Sequence, residues 1–240
     1  MSSAPLPQNR APFATAELAA ACAGTWLRPA TTDAILGVST DTRAVAAGNA
    51  FVALAGERFD GHRFIDRAIA GGATVLIVER PVEAPAGVGV LQVGSTRAAL
   101  GALAAHHRRR WPGRLLAIGG SAGKTTTRRA VAAVLAAHRP GAVHATEGNF
   151  NNDIGVPLTL LALAPHHEFA VIEIGTNHTG EVAALAALTR PDAALLTLIG
   201  AEHTEGLGSL EGVAQEEGDL FAALAAIPGG GVAIGNADDE

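Results

Sequence analysis

From Leu115 onward the sequence alternates short, almost wholly apolar runs with longer stretches of helical spacing. Leu115–Gly119, Phe169–Ile174, Ala193–Ile199 and Gly231–Ile234 are apolar on both faces, which predicts buried strands. Between them Thr126–His138, Val156–Leu163, Gly180–Thr189 and Leu210–Ala226 repeat apolar residues at helical intervals. A strand apolar on both faces has to be covered on both, and helices crossing between parallel strands are the usual cover. The expected fold class is therefore α/β, with a parallel sheet in this half. Open parallel sheets bind ligands beyond the carboxyl ends of their strands, so the chemistry is expected in the loops there.

The first hundred residues are built differently. Ala50–Leu54 and Ala73–Val78 predict short strands, with a helix over Gly61–Ala70 between them and turns around Gly48 and Pro81–Gly89. A boundary is expected near Gly94, with Ser95–Arg110 as a helix opening the second unit, so the domains would be residues 1–94 and 95–240. The basic run from His106 to Arg110, followed by Trp111 and Pro112, fits ordinary chemistry at a helix C-terminus.

Charge and composition narrow the function classes. A net charge of −6 without a basic block of five or more gives no electrostatic footprint for nucleic acid or an anionic membrane. The N-terminal residues lack a charged segment leading into an apolar one, and no eighteen-residue apolar window exists, so a cytoplasmic protein without membrane insertion is expected. The single cysteine, Cys22, excludes an internal disulfide framework.

The segment Gly120-Ser121-Ala122-Gly123-Lys124-Thr125-Thr126 follows an apolar strand and precedes a helix, where a phosphate-binding loop has to lie. Small residues let backbone N–H groups turn toward phosphate oxygens, and the helix N-terminus adds its positive dipole end. Lys124 would bring a compact charge to the terminal phosphates of ATP or GTP, and Thr125 a hydroxyl for Mg²⁺. The loop is tighter than the usual G-x-x-x-x-G-K-[ST] spacing. A glycine-rich turn with an incidental lysine is the alternative, and composition argues against it. Of 17 basic residues, sixteen are arginine, and lysine is kept only here. A forked, planar guanidinium does not replace a point charge at the bottom of a phosphate cradle.

Two later loops add candidates. Asn149, Asn151 and Asn152 crowd the loop before Pro157; a plain turn is one explanation, but three amides beside a phosphate site exceed what a turn requires. Glu173 ends an apolar strand, and a carboxylate there needs a partner such as the nucleotide's Mg²⁺. His203 follows the next strand in the same way.

Together these residues resemble the Mur ligase family, which builds the peptide stem of the bacterial cell wall. Val38-Ser39-Thr40-Asp41-Thr42-Arg43, Phe51–Gly56 and Phe59-Asp60-Gly61-His62 are similar to its uridine-nucleotide-binding domain, and Gly120–Thr126 to its ATP loop. Gly148–Pro157 has the Asn-rich form of the members that add D-Ala-D-Ala, and Gly208–Ala214 with Gly218–Phe221 completes the match. The resemblance implies a small α/β uridine-nucleotide-binding domain followed by a P-loop domain incomplete at its C-terminus. It implies ATP and Mg²⁺ as cofactors, UDP-MurNAc-tripeptide and D-Ala-D-Ala as substrates, a monomer, and peptide-bond formation through an acyl phosphate. By residue, Ser39, Thr40, Asp41, Arg43, Asn151 and Asn152 would meet substrate. Gly120, Ser121, Ala122, Gly123, Lys124, Thr125 and Thr126 would hold phosphates, and Thr125, Glu173, His203 and Glu217 the metal ions.

The chain departs from the family pattern in three respects. Gly119 stands where threonine is usual. Glu217 stands where most members carry a carbamylated lysine that helps hold a second Mg²⁺, and no other lysine exists in this chain. Glu217 could supply that charge directly with about 3–4 Å less reach, or be a solvated helix residue. Finally, a third domain is absent from the sequence, so a fragment of a longer ligase is expected. A related amide ligase of the folylpolyglutamate or cyanophycin type, and a non-catalytic nucleotide-binding module, stay open as alternatives.

Overall fold

The computed structural model describes residues 6–56, 59–200, 207–227 and 229–239. The chain divides into two units, residues 1–107 and 108–240.

In the first unit the elements run β1 (Pro12–Ala14), α1 (Thr15–Cys22), β2 (Thr25–Arg28), β3 (Ala34–Leu36), β4 (Val38–Ser39), β5 (Ala50–Val52), β6 (Ala55–Gly56), β7 (Phe59–Asp60), α2 (Ile65–Ala70), β8 (Val75–Val78) and β9 (Gly89–Gln92). One 3-10 turn, Gly61–Phe64, leads into α2, so the expected helix over Gly61–Ala70 is there in two winds. Strands β4, β5, β8 and β9 pair in parallel, and β2 adds antiparallel to β9. Phe51, Leu76, Val78 and Val90 form the core on one face with Ile65 and Ala68 of α2. Cys22 is buried, and burial pushes its thiol up to about 12, so it stays protonated and unreactive.

The helix α3 (Thr96–Arg110) runs through residue 107, where the first unit ends. The second unit continues with β10 (Arg114–Gly119), α4 (Lys124–His138), β11 (Val143–Ala145), α5 (Gly155–Leu161), β12 (Phe169–Glu173), α6 (Glu181–Thr189), β13 (Ala193–Leu196), α7 (Leu210–Ala222) and β14 (Val232–Ile234). Its sheet is wholly parallel in the order β11-β12-β10-β13-β14. The strand order reverses around β10, and the crevice beyond its carboxyl end is the predicted ligand position.

Two sequence expectations are corrected here. Val232–Ile234 is not buried: among the described residues it is an edge strand paired with β13, and all three residues are exposed. The basic run before Trp111 is more than solvated helix-end charge. Arg108 is buried, stacks 5.2 Å from the Trp111 ring, and donates to the carbonyls of Thr189 and Arg190 and to Asp192. It ties the start of this unit to the turn after α6.

His144 of β11 and His167 stack at 5.0 Å, with His166 4.2 Å from His167. The Ala164 N–H donates to His167 Nδ1, which fixes that ring as an acceptor. Burial, then repulsion from His144 and His166, holds His167 down at about 4. A histidine neutral in the folded state and protonated in the unfolded one lowers stability as pH falls below about 6.5, with the loss complete near the folded value. His167→Asn should therefore shrink the drop in melting temperature between pH 7.5 and pH 5, measured by thermal denaturation. An unchanged drop would remove His167 as its source.

Candidate functional site

The loop Gly120–Gly123 turns between the end of β10 and the start of α4. Gly120 and Gly123 sit at φ of +112° and +85°, in the left-handed region that favours glycine. Gly120 also lacks room for a side chain, because a Cβ there would stand 2.9 Å from the Leu198 carbonyl. The loop is clamped from the β13 side. The Ser121 N–H donates to the Leu198 carbonyl at 2.8 Å, and the Ser121 hydroxyl exchanges bonds with Gly200. The Thr197 hydroxyl donates to the carbonyls of Ala122 and Gly119. Such clamping fixes the shape of the turn between β10 and α4. The Lys124 ammonium donates to the carbonyls of Gly120 and Ser121, so it lies folded over the loop it belongs to.

Beside the loop, Glu173 ends β12 in register with Ile118 of β10 and is 3% exposed. Its carboxylate accepts from the Thr125 hydroxyl at 3.0 and 3.2 Å and from Asn151 Nδ2 at 3.0 Å. Its backbone N–H donates to the Thr146 hydroxyl. The Arg128 Nε lies 3.6 Å from Glu173 Oε2, while Arg128 Nη1 donates to the carbonyls of Thr146 and Gly148. Burial lowers the Arg128 guanidinium from its ordinary value and Glu173 opposes that shift. Gly175 makes room for Asn151, whose amide nitrogen would lie 2.8 Å from a Cβ there.

The structure thus brings Lys124, Thr125, Asn151 and Glu173 together at the carboxyl edge of the sheet. Asn152 lies differently: its Oδ1 accepts from the N–H groups of Ile154 and Gly155, fixing the entry to α5. Glu217, 2% exposed on α7, accepts from the Gly120 N–H at 2.7 Å. Its neighbour Glu216, equally buried, accepts from Gly180 and Val182 N–H and from the Thr176 hydroxyl. The sequence-predicted His203 lies outside the described residues. Arg128 and Thr146 were not expected. Arg128 stands three residues after Thr125 on one helix, a spacing that places both on the same face.

In the first unit, Ser39, Thr40, Asp41 and Arg43 form the turn leaving β4. Asp41 takes the Arg43 guanidinium in a paired bond at 2.5 and 2.9 Å, which holds its carboxyl below the usual range. Arg43 itself is exposed. The buried His62 has its Nδ1 2.7 Å from Asp60 and accepts the Glu79 N–H on Nε2. A second anchor, the hydrogen bond from Arg80, helps hold Asp60 at about 2.

Residues 118–240 match the Mur ligase middle domain, and residues 34–108 the catalytic domain of the Mur ligase family. The chain belongs to the Mur ligase family. It is 50% identical over 203 residues to UDP-N-acetylmuramoyl-tripeptide–D-alanyl-D-alanine ligase of Escherichia coli, covering 85% of this chain and 43% of that protein. The Bacillus subtilis ligase of the same name is 41% identical over 191 residues, covering 79% and 41%. Among solved structures, MurF from Acinetobacter baumannii superposes with a TM-score of 0.87 at 36% identity, over 98% of this chain and 50% of that one. MurF ligase from Thermotoga maritima in complex with ADP gives 0.74 at 30%, over 84% and 46%. This Mur ligase chain therefore spans about half the length, or less, of the relatives it matches. Among the described residues no helix is long and apolar enough to cross a membrane.

Breaking a buried pair leaves an uncompensated charge, so Arg128→Met should lower unfolding stability by about 3 kcal/mol. The exposed Arg129→Met next to it should cost less than about 0.5 kcal/mol. Denaturant midpoints compare the two; equal effects would mean that Arg128 does not balance Glu173.

Proposed function

We propose that this chain carries the UDP-sugar and nucleotide-phosphate sites of a ligase that joins D-Ala-D-Ala to UDP-MurNAc-tripeptide at the expense of ATP. The observation that carries this reading is the Thr125–Glu173 pair at the mouth of a clamped loop holding the chain's one lysine. The names of the relatives supply the substrates. The working division is residues 1–94 for the UDP-sugar and 95–240 for ATP, in a monomeric cytoplasmic protein.

A tripeptide carboxylate oxygen attacks the γ-phosphorus of ATP, ADP leaves, and an acyl phosphate forms. The amine of D-Ala-D-Ala then attacks the acyl carbon, the amine proton is lost, and phosphate departs from the tetrahedral intermediate. A carboxylate resists nucleophiles at neutral pH, so phosphorylation is what creates a leaving group. The chain's contribution is alignment and charge neutralisation. Lys124 exchanges the loop carbonyls of Gly120 and Ser121 for the terminal phosphate oxygens. N–H groups in the first turn of α4, which have no carbonyl one turn back, donate to the phosphates of the same nucleotide. Ser121, Ala122, Gly123 and Thr126 shape that cradle. Asn151, steadied by Glu173, orients the acyl group, with Asn152 fixing the loop that carries it. In the first unit Ser39, Thr40, Asp41 and the exposed Arg43 receive the UDP-sugar.

A hydroxyl and a carboxylate 3.0 Å apart are hard oxygen donors that fit Mg²⁺, which takes one or two carboxylates and completes its shell with phosphates and water. Bound there, Mg²⁺ supplies neutralisation of the phosphate charge. Thr125 and Glu173 would hold this ion, and His203 and Glu217 a second. A carboxylate has two oxygens and about four acceptor directions, so the Gly120 bond and a metal bond are compatible at Glu217.

Calorimetric titration with ADP and Mg²⁺ should show binding that Lys124→Arg weakens at least about tenfold, because the fork does not fit the cradle. Undiminished binding by that variant would sink the phosphate-loop assignment. UDP-MurNAc-tripeptide should bind separately and lose about tenfold in Arg43→Ala, the size of one charge-assisted hydrogen bond. With ATP, Mg²⁺ and UDP-MurNAc-tripeptide present, hydroxylamine should trap the acyl phosphate as a hydroxamate, at a rate that added bicarbonate leaves unchanged. Binding of both ligands without hydroxamate would make the chain a binding module instead.

A further inference from the structure

Helix α7 presents two consecutive buried carboxylates, and successive helix residues point about 100° apart. Glu216 meets the start of α6, whereas Glu217 meets the phosphate loop. The peptide joining Gly119 to Gly120 is held at both ends. Its N–H donates to Glu217 Oε2 at 2.7 Å. Its carbonyl accepts from the Thr197 N–H and hydroxyl, each at 3.2 Å. Gly119 is not among the residues at positive φ, so its missing side chain answers to space rather than to backbone conformation. A Cβ at position 119 would stand 2.7 Å from Glu217 Oε2, and 3.0 Å from the methyl ends of Leu196 and Leu220. The leucine ends can turn aside, but the carboxylate cannot give way without dropping the Gly120 bond.

We propose that Glu217 is a positioning residue for the phosphate loop, and that Gly119 and Glu217 form a matched pair in which neither can change alone. The carboxylate fixes the first peptide of the turn, which sets the direction of the Gly120 carbonyl and so the seat of the Lys124 ammonium. A carboxylate this deep is stable only when its charge is met by donors, and a backbone N–H is a donor that no substitution at Gly120 would remove short of proline. The inference rests on the reading of Gly120–Thr126 as a nucleotide-phosphate loop. It does not depend on Glu217 holding a metal ion.

The test is ADP affinity measured by calorimetry in EDTA and again in Mg²⁺, on the whole chain. Glu217→Ala should weaken ADP about tenfold in both conditions, the loss of one charge-assisted hydrogen bond. Glu217→Gln keeps a carbonyl oxygen at the same reach and should recover most of that loss. Gly119→Ala should be as damaging as Glu217→Ala in the native background, yet change affinity less than about twofold once Glu217 is alanine. A loss confined to Mg²⁺ would make Glu217 a metal ligand only, and additive effects at 119 and 217 would dissolve the pair. If Glu217→Ala does not fold, the Gly120 amide proton in Gly119→Ala decides by NMR. An upfield shift signals the broken bond, and an unmoved one overturns the proposal. Failure of the native chain to bind ADP at all would instead count against the phosphate-loop reading.

Discussion

One desolvated carboxylate organises the second unit. Glu173 brings to a single point the first turn of α4 through Thr125, its second turn through Arg128, and the Asn-rich loop through Asn151. Its own N–H reaches Thr146 after β11. A charge buried to this depth is tolerated only when such partners are in place, so each of these segments is fixed relative to the others by the cost of leaving the carboxylate bare. Arg128 offsets the charge, while the Thr125 hydroxyl donates to the same carboxylate from the first turn of α4.

The Gly120–Gly123 loop repeats this logic from the other side of β10. Glu217 approaches it from α7 and Thr197 from the end of β13, so the turn is held by side chains rather than by its own residues alone. The two positions at which the chain departs from the Mur ligase pattern, Gly119 and Glu217, prove to be neighbours in space. What looked in the sequence like a loosened loop and a lost lysine is one local contact, in which the bare Gly119 leaves the space that the Glu217 carboxylate fills.

The parallel sheet and the loop were legible because their signals are local: both-face apolar runs, and glycine before Lys-Thr at a strand–helix junction. Glu173 was legible because a carboxylate inside an apolar run has few physical excuses. Other roles depend on which way a side chain points across the fold, and periodicity does not carry that. Glu216 and Glu217 are adjacent and chemically identical, yet one seats a helix and the other a loop. Arg128 lies between Thr127 and the exposed Arg129 and reads as solvated surface until β11 and β12 are set against it. The edge position of Val232–Ile234 is likewise a property of strand order, which no window of sequence contains.

The folded-over lysine has a consequence for anyone handling this protein. Within these 240 residues the only lysine amine is the one resting on the loop carbonyls of Gly120 and Ser121. Reagents that acylate amines, and proteases that cut after lysine alone, would therefore report on a single place. Within this chain the lysine is a built-in label on the Gly120–Gly123 loop, and its accessibility to those reagents reads out whether the ammonium still rests on those carbonyls.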